Sequence, residues 1–400
     1  MMTLKREGVR SKFRHPDDPV KNLGNVGGIK DRRFLQAGEL IMKKFKLAIT
    51  AASFALAAMT PSVQAADKLK IGFIYVGPIG DHGWSYQHNR ARLEVEKEFG
   101  DKVETTYLEN VPESADAERV LERLVRSGHK LIFATSFGYM DSVMKVAKKY
   151  PDVRFEHAVG FKRAKNVSTY MVRMHEADFL MGRTAAKMSK TGTLGFVATF
   201  PVPVMIAGIN AYMRGAQSVN PNIKMKIVWT NSWFNPTLEA DAAKTVIQQG
   251  ADVLRTYADS PSVVTVAHEN GAYAFALGSN MIKFGPKSQL TADVLHWGGY
   301  YTQRVRDVLS GKWASTDTWG GLKSKMFAMA PYTNMPDDAK KFAAESEAAL
   351  RDGNLVAFKC PVMGQDGKAV ECKGGDRLGP GQIRGMNWFV KGIDAKMPGK

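Results

Sequence analysis

The sequence predicts an α/β fold made of two Rossmann-like lobes, each built on a parallel sheet and joined by a hinge. Short apolar runs of strand length alternate with charged segments of helical spacing from Lys70 onward, which is typical of βαβ units. The alternation pauses once, between Tyr170 and Glu176, and then restarts over a stretch of similar length. Two such halves predict a cleft at the carboxyl ends of the strands, where open α/β sheets bind their ligands.

The first half begins with the predicted strand Lys70 to Val76, an apolar run that ends at Gly77-Pro78, as a buried strand does before a loop. The other predicted elements of this half are helices at Ser85 to Phe99, Ala115 to Ser127 and Asp141 to Lys149, and strands at Lys102 to Tyr107, Leu131 to Thr135 and Val153 to His157. Helical segments of about a dozen residues supply the crossovers that parallel strands require.

The second half repeats this pattern. Its predicted helices are Ala177 to Met188, Val204 to Val219, Leu238 to Gln249 and Ser262 to Asn270, and its predicted strands are Thr193 to Ala198, Lys224 to Thr230, Val253 to Thr256 and Tyr273 to Leu277. A further strand follows Leu290, and a helix runs from Tyr300 to Leu309. We therefore expect one lobe over 68–175 with about 298–323, the other over 176–297 with about 324–358, and a C-terminal tail over 359–400.

The segment ahead of the predicted fold explains part of the formal charge of +17. Residues 42–65 combine a basic start, an apolar run from Leu47 to Met59 and the exit Val63-Gln64-Ala65, which predicts a cleavable signal peptide. The apolar run is shorter than the roughly 20 residues that span a membrane. Residues 1–41 carry a net charge of +4 and are interpreted as a non-native or disordered extension. The alternative is an unusually long export signal, in which Arg32-Arg33 faintly resembles a twin-arginine motif.

The charge that remains on the mature chain is diffuse. No Arg-rich run or recognition helix concentrates it, so we expect no nucleic-acid partner. A DNA-binding regulator of the same two-lobed fold would need a helix-turn-helix ahead of Lys68, and the apolar segment Leu47 to Met59 stands in that place.

The sequence contains two cysteines, Cys360 and Cys372. In an oxidising compartment they are expected to form a disulfide that closes a short surface loop. No cysteine stands at the predicted cleavage point, so we expect a periplasmic protein without a lipid anchor.

The strong catalytic and metal motifs are absent from the sequence. It contains no G-x-S-x-G, no G-x-x-x-x-G-K-[ST], no H-E-x-x-H and no C-x-x-C. His175-Glu176 lacks the second histidine of a zinc site, and two cysteines are too few for a structural zinc site. We therefore expect neither metal nor cofactor and interpret the chain as a binding protein.

The strand-end loops combine aromatic rings with short polar groups. The candidate residues are Asp81, Trp84 and Phe137 in the first half and Phe200, Trp233, Tyr257 and Asp259 in the second. Flat rings on opposite sides of a cleft suit a flat heteroaromatic ligand, and a carboxylate accepts hydrogen bonds from its N–H groups. The competing interpretation is that each ring packs a loop against a helix. Trp84 and Trp233 hold matching positions in the two halves, and for them we favour stacking on the ligand.

Five stretches carry a resemblance to a known family. They are Asp81 to Ser85, Val146 to Phe155, Gly208 to Gly215, Val219-Asn220-Pro221 and Gln249 to Val253. With them, the chain from Lys68 to about Tyr332 resembles the basic membrane protein family of solute-binding proteins, the purine nucleoside receptor type that supplies ABC importers. The resemblance implies a type I periplasmic-binding-protein fold. It also implies that the base lies between Trp84 and Trp233, with Asp81 at the acidic position.

Two departures from the family concern the sugar. Nucleoside-binding members have a Val-Asp-Ser-Asp stretch where this chain has Leu277-Gly278-Ser279-Asn280, and a lysine that serves the ribose is replaced by Leu295, near Trp297. Buried ribose hydroxyl groups without partners cost about 1 to 3 kcal/mol each. We therefore expect a nucleobase in preference to a nucleoside, with Asn280 and Trp297 as further site residues.

The sequence thus predicts a monomeric periplasmic receptor for a purine nucleobase or nucleoside, with the permease subunits of an ABC importer as its protein partner. The alternative of the same fold is a receptor for another flat heterocycle or a sugar-like solute. The alternative of a different class is a periplasmic enzyme acting on nucleosides.

Overall fold

The computed structural model describes residues 67–398, which belong to one compact unit. The predicted extension over 1–41 and the predicted signal peptide over 42–65 lie outside the described residues. Within 67–398, no helix has the length and apolar character needed to cross a membrane. Two six-stranded sheets organise the unit.

The strands of the first sheet all run parallel, in the order β2-β1-β3-β4-β5-β11. They are β1 (Leu69–Ile74), β2 (Val103–Leu108), β3 (Leu131–Ala134), β4 (Arg154–Ala158), β5 (Val167–Val172) and β11 (Asp317–Gly320). The helices that pack on this sheet are α1 (Gly83–Phe99), α2 (Ala115–Arg126), α3 (Met140–Lys149) and α8 (Gly298–Leu309). This sheet and its helices form the first lobe.

The second sheet repeats this order as β7-β6-β8-β9-β10-β12, in which β12 alone runs antiparallel to its neighbour. Its strands are β6 (Thr193–Ala198), β7 (Lys224–Trp229), β8 (Val253–Thr256), β9 (Tyr273–Gly278), β10 (Gln289–Leu295) and β12 (Phe327–Met329). The helices of this second lobe are α4 (Met174–Met188), α5 (Pro203–Gln217), α6 (Pro236–Gln248), α7 (Ser262–Glu269) and α9 (Asp337–Arg351). The chain passes between the lobes after β5, β10 and β11.

Two glycines let α4 and α5 pack closely. A Cβ atom at Gly182 would overlap the carbonyl oxygen of Tyr212, and one at Gly215 would overlap that of Phe179. The two helix backbones therefore touch, and this contact holds the start of α5 next to the passage from β5 to α4.

The predicted pause in the alternation of strands and helices between Tyr170 and Glu176 is wrong, because a strand and a helix occupy this segment. β5 ends at Val172, and α4 begins at Met174. Every residue of β5 is buried, yet the strand contains the polar pair Ser168 and Thr169. Ser168 accepts a hydrogen bond from Arg304 at 2.9 Å, and Thr169 donates one to Asp317 at 2.9 Å. These hydrogen bonds allow polar side chains in a buried strand, so the apolar run that marks such a strand in a sequence is missing here. The partners that compensate for it are distant in sequence.

The C-terminal tail packs on the second lobe. It contains the hairpin β13 (Val362–Met363) and β14 (Ala369–Val370) and the short helix α10 (Pro380–Arg384). The side chain of Asn210 on α5 binds the backbone of Trp388 and Val390. The predicted disulfide between Cys360 and Cys372 is formed, with the two Cα atoms 6.6 Å apart. Arg384 reaches the first lobe through an ion pair of 2.6 Å with Asp317.

Candidate ligand-binding site

A cavity lies between the lobes at the carboxyl ends of both sheets, and it encloses about 550 Å³ including the part open to solvent. The first lobe contributes Val76, Trp84, Ser136, Phe137 and Val159 to its walls, and the passage from β5 to α4 contributes Met171 and Met174. The second lobe contributes Val204, Met205, Trp233, Tyr257, Asp259 and Leu277. Most of these residues follow β1, β3, β6 and β8, the strands at which each sheet order reverses direction.

Trp84 stands in the first turn of α1. Its indole N–H donates to the carbonyl oxygen of Thr135 at 2.7 Å. The rings of Trp297 and His88 meet it edge-on, with centroids 5.5 and 4.7 Å away, and these two buried rings stack on each other at 4.7 Å. Trp84 is therefore held in one orientation, with its polar N–H bound to the protein and its apolar surface available to the cavity.

Trp233 lies in the loop after β7, on the opposite lobe. Its indole N–H donates to Oε2 of Glu113 in the first lobe at 2.8 Å. Oε1 of Glu113 also accepts hydrogen bonds from the Ser136 hydroxyl at 2.5 Å and from the Gly138 N–H at 2.7 Å. Glu113 thus joins Trp233 to a loop of the first lobe and holds the cleft closed on this side.

Tyr257 presents its ring to the cavity and its hydroxyl to a buried ionic network. The hydroxyl donates to Asp178, which also pairs with Arg255 at 3.0 Å. Arg255 donates to the carbonyl of Ala276 at 2.8 Å and lies 3.1 Å from Asp293. Burial raises the pKa of Tyr257 well above its usual value, so the phenol stays neutral.

Asp259 lies at the point where the second lobe meets the start of α1. Its carboxyl group accepts hydrogen bonds from the backbone N–H groups of Trp84 and Ser85. Burial raises the pKa of Asp259 to about 8, and the nearby Glu239 also raises it, while the two N–H groups lower it. Near neutral pH the group is therefore mostly a neutral carboxylic acid, which both donates and accepts hydrogen bonds.

The two backbones come together at Gly83 and Gly278. Gly83 has a φ of +84°, and a Cβ atom there would overlap the carboxyl group of Asp259. Gly278 has a φ of +72°, and its Cβ would lie 3.3 Å from the carbonyl carbon of Gly83. Next to this contact, Ser279 accepts hydrogen bonds from the Gly83 N–H and the Gln87 side chain, both at 2.9 Å.

Five of the candidate residues named from the sequence line this cavity together. They are Trp84, Phe137, Trp233, Tyr257 and Asp259. They come from four different strand-end loops and from both lobes, as the two-lobed prediction requires.

The other four candidates, Asp81, Phe200, Asn280 and Trp297, do not line the cavity formed within residues 67–398. Asp81 is exposed and pairs with Lys283 of the second lobe and with His82. Phe200 packs on Trp233 at 4.9 Å, and Trp297 is fully buried behind Trp84. Asn280 accepts hydrogen bonds from Gln289 at 2.6 Å and from the Ile282 N–H at 3.1 Å. The rings of Phe200 and Trp297 therefore pack within the protein, which is the competing interpretation stated for the loop aromatics.

The sequence-based candidates omitted three methionines and one acid. Met171, Met174 and Met205 form much of the apolar wall, and Glu113 holds Trp233. Met171 is the next-to-last residue of β5, the strand that the sequence pattern did not reveal. Glu113 follows the predicted strand Lys102 to Tyr107, so a survey of every strand-end loop would have included it.

The cavity is poor in hydrogen-bonding side chains. Among the described residues that line it, Asp259 is the only ionisable carboxyl group, and Ser136 and Tyr257 are the only hydroxyl groups. Both hydroxyl groups already donate to carboxylates of the protein, Glu113 and Asp178. No cluster of three or more histidine, cysteine or acidic side chains able to hold a metal ion occurs in the part of the chain that the structure describes. The arrangement suits a flat, mainly apolar ligand with few hydrogen-bonding groups.

Comparison with known proteins finds relatives that cover most of this chain. A purine-binding protein of Brucella abortus is 52% identical over 337 residues, which cover 84% of this chain and 96% of that protein. A Haloferax volcanii protein, named as a glucose-binding protein of an ABC transporter, is 32% identical and covers 83% of this chain and 82% of its own length. The crystal structure of an ABC transporter solute-binding protein from Aeropyrum pernix shares the fold, with a TM-score of 0.62 at 21% identity over 73% of this chain and 94% of that one.

The family model of PnrA-like ABC transporter substrate-binding proteins matches residues 68–352. These residues include both sheets and every residue that lines the cavity. The fold is accordingly that of type I periplasmic solute-binding proteins. The chain belongs to the basic membrane protein family of ABC transporter substrate-binding proteins.

Proposed function

We propose that the protein is a periplasmic receptor that captures a purine nucleobase between its lobes and delivers it to the permease of an ABC importer. It performs no reaction on the ligand and acts as a monomer. The observation that carries the proposal is the cavity itself, in which Trp84 and Trp233 stand on opposite lobes with both indole N–H groups bound to the protein. The purine-binding relative from Brucella abortus supports the same ligand class.

The polarity of the cavity favours a base over a nucleoside or a hexose. A ribose or glucose would bring several hydroxyl groups to walls whose own hydroxyl groups are already engaged. By the resemblance, Gly278 and Leu295 stand at the two places that serve the ribose, and neither has a polar side chain; Gly278 follows the wall residue Leu277, and Leu295 is buried in the core. Each unpaired buried hydroxyl costs about 1 to 3 kcal/mol. This cost exceeds the free energy that the extra contact area of a sugar contributes.

Asp259 supplies the polar recognition of the base. As a mostly neutral acid near pH 7, it donates a hydrogen bond to a ring nitrogen or accepts one from an exocyclic amino group. Purines carry such donors and acceptors side by side along their edges. The signal peptide predicted over residues 42–65 supports export of the receptor to the periplasm.

Calorimetry of the purified protein against adenine, guanine, hypoxanthine, their nucleosides and glucose tests the proposal. We expect at least one base to bind at least about tenfold more tightly than its nucleoside, because of the unpaired ribose hydroxyl groups. Tight binding of nucleosides or of glucose, without binding of any base, would contradict the nucleobase proposal. Mass spectrometry of ligand retained through purification provides an independent identification.

Two tryptophan variants test the stacking role. Trp84→Ala and Trp233→Ala should each weaken base binding by about tenfold to a hundredfold, since stacking on an aromatic ring contributes about 1 to 3 kcal/mol per base. Trp388→Ala on the C-terminal tail is the matched control and should bind the base normally. Unchanged affinity in Trp84→Ala would rule out the stacking model.

A further inference from the structure

A second cavity adjoins the first beside the passage from β5 to α4. It measures about 560 Å³ including the part open to solvent. The two cavities share Phe137, Val159, Met171, Met174 and Val204 in their walls. They are therefore neighbours along one cleft, and these apolar side chains form the wall that they share.

The walls of the second cavity outside the shared part are mostly apolar. They include Phe161, Ala207, Trp319 and Ile383. The ring of Phe161 is 64% exposed at the rim, which leaves an apolar surface in water unless a bound group covers it. The cationic Arg384 at the rim is already bound to Asp317 at 2.6 and 3.0 Å. This cavity therefore offers an apolar surface to a ligand, and the charge of Arg384 is already paired with Asp317.

His175, a buried residue, lines the second cavity next to Trp319, at a centroid distance of 5.3 Å. Burial lowers the pKa of His175 to about 3, and the nearby Arg173 lowers it further, so the ring is neutral. A neutral imidazole offers one donor and one acceptor. It tolerates an apolar neighbour and can also bind one small polar group.

One residue of the shared wall, Val159, has a strained backbone conformation. Val159 has a φ of +62°, a left-handed conformation that is strained for a β-branched residue. Its N–H donates to the carbonyl oxygen of Tyr170 at 2.9 Å, which fixes the loop after β4 against β5. This hydrogen bond thus keeps a branched apolar side chain at the junction of the two cavities, despite the strain.

The C-terminal tail completes the second cavity. Ile383 and Arg384 belong to α10, which lies beyond the residues 68–352 that the family model matches. The first cavity has no wall residue from the tail. The polar and stacking groups thus belong to the first cavity, and an apolar space partly walled by the C-terminal tail lies beside it.

We propose that the ligand of this receptor is a purine base that carries an apolar substituent, with the ring system in the first cavity and the substituent in the second. This inference rests on the proposed function, because it assumes that the ring system of a purine lies between Trp84 and Trp233. A bare base would leave the second cavity without an occupant. A substituent of about five carbons would bury apolar surface there and so add to the affinity.

Calorimetry with adenine and with three alkylated adenines tests the inference. The probes are N6-(3-methylbut-2-enyl)adenine, N6-benzyladenine and 9-butyladenine, which direct a substituent from two different positions of the ring. We expect at least one of them to bind about tenfold or more tightly than adenine, given the apolar area buried.

Variants of the second cavity connect this gain with its walls. Phe161→Ala, at an exposed position, and Ala207→Leu, which fills the cavity, should each reduce the advantage of the alkylated purine by about threefold or more and leave adenine binding unchanged. Leu309→Ala on α8 removes a partly exposed apolar side chain outside both cavities and should change neither affinity. Because Phe161 is exposed, its variant tests the inference even if Ala207→Leu fails to fold.

The outcomes separate this inference from the proposed function. If adenine binds and every alkylated probe binds equally or more weakly, the inference is wrong and the receptor proposal stands. If an alkylated probe gains affinity that survives in Phe161→Ala and Ala207→Leu, its substituent lies elsewhere and the inference is also wrong. If no purine binds at all, the proposed function itself fails.

Discussion

At the scale of single residues, Asp259 joins ligand recognition to closure of the cleft. It lines the cavity and accepts hydrogen bonds from the backbone N–H groups of Trp84 and Ser85. Its pKa is raised to about 8 by burial, against about 3.9 in an unfolded chain. The folded protein therefore holds the Asp259 proton more tightly than the unfolded chain does.

Stability should depend on pH through this group. The contribution of the Asp259 proton is fully present below about pH 4 and is lost as the pH rises through about 8, with a slope of at most about 1.4 kcal/mol per pH unit. Urea unfolding of the protein and of Asp259→Asn between pH 5 and 9 measures this contribution. The asparagine keeps an acceptor oxygen and cannot titrate, so its stability should fall less as the pH rises.

The comparison of the two proteins isolates Asp259 from its neighbours. Burial also raises the pKa of Glu239, and this group is present in both proteins. Parallel pH profiles for the protein and Asp259→Asn would show that Asp259 titrates at its usual value.

At the scale of elements, α1 begins with a cap that the other lobe supplies. His82, the residue before the helix, makes no side-chain capping bond. Ser279 and Asp259 of the second lobe instead accept from the N–H groups of Gly83 and Trp84. The first turn of α1 therefore has its hydrogen-bond partners only while the lobes are together, and it cannot at the same time bind an anionic ligand at this end.

Loss of this cap should appear in affinity. Ser279→Ala should weaken ligand binding by about fivefold, since an N-cap bond contributes about 1 kcal/mol and this one stabilises the closed form. The matched control is Ser114→Ala, because Ser114 caps α2 within the first lobe by accepting from the Asp116 N–H at 3.2 Å. That variant should lower the melting temperature and leave affinity unchanged.

Calorimetry and thermal unfolding of both serine variants distinguish the two kinds of cap. If Ser279→Ala lowers stability and leaves affinity unchanged, as expected for Ser114→Ala, the bond between the lobes makes no contribution to closure.

At the scale of the whole molecule, polar contacts across the cleft hold the lobes together. The bond from Trp233 to Glu113 lies at the cavity, whereas the ion pair of Asp81 with Lys283 lies at the surface, where its side chains are 59% and 55% exposed. Exposed ion pairs contribute about 0 to 1 kcal/mol and are screened by salt. The Lys283 bond and the His82 bond hold the pKa of Asp81 below its usual value.

Asp81 should therefore influence closure weakly and in a salt-dependent way. We expect Asp81→Asn to weaken ligand binding by at most about fivefold at low ionic strength and not at all in about 0.5 M salt. Calorimetry at the two salt concentrations, with Trp84→Ala as the reference for a ligand-contacting residue, measures this. A large loss that salt does not alter would show that Asp81 contacts the ligand, as the resemblance implied.

Local patterns in the sequence determined most of the architecture. The predicted helices and strands agree with the structure to within three residues at their ends, because period and turn residues depend on neighbours along the chain. Trp84, Trp233 and Asp259 were found because the carboxyl ends of parallel strands meet at one edge of a sheet. The disulfide of Cys360 with Cys372 followed from the presence of just two cysteines.

The tertiary structure decided where each side chain points and what it binds. Asp81 and Asn280 stand in the right loops but bind Lys283 and Gln289, and Trp297 supports Trp84 from the core. β5 is buried although it contains Ser168 and Thr169, because Arg304 and Asp317 satisfy them from more than a hundred residues away. Such pairings depend on how distant segments pack. The sequence by itself therefore determines the alternation of strands and helices. The polarity and size of the two cavities are determined by the tertiary structure.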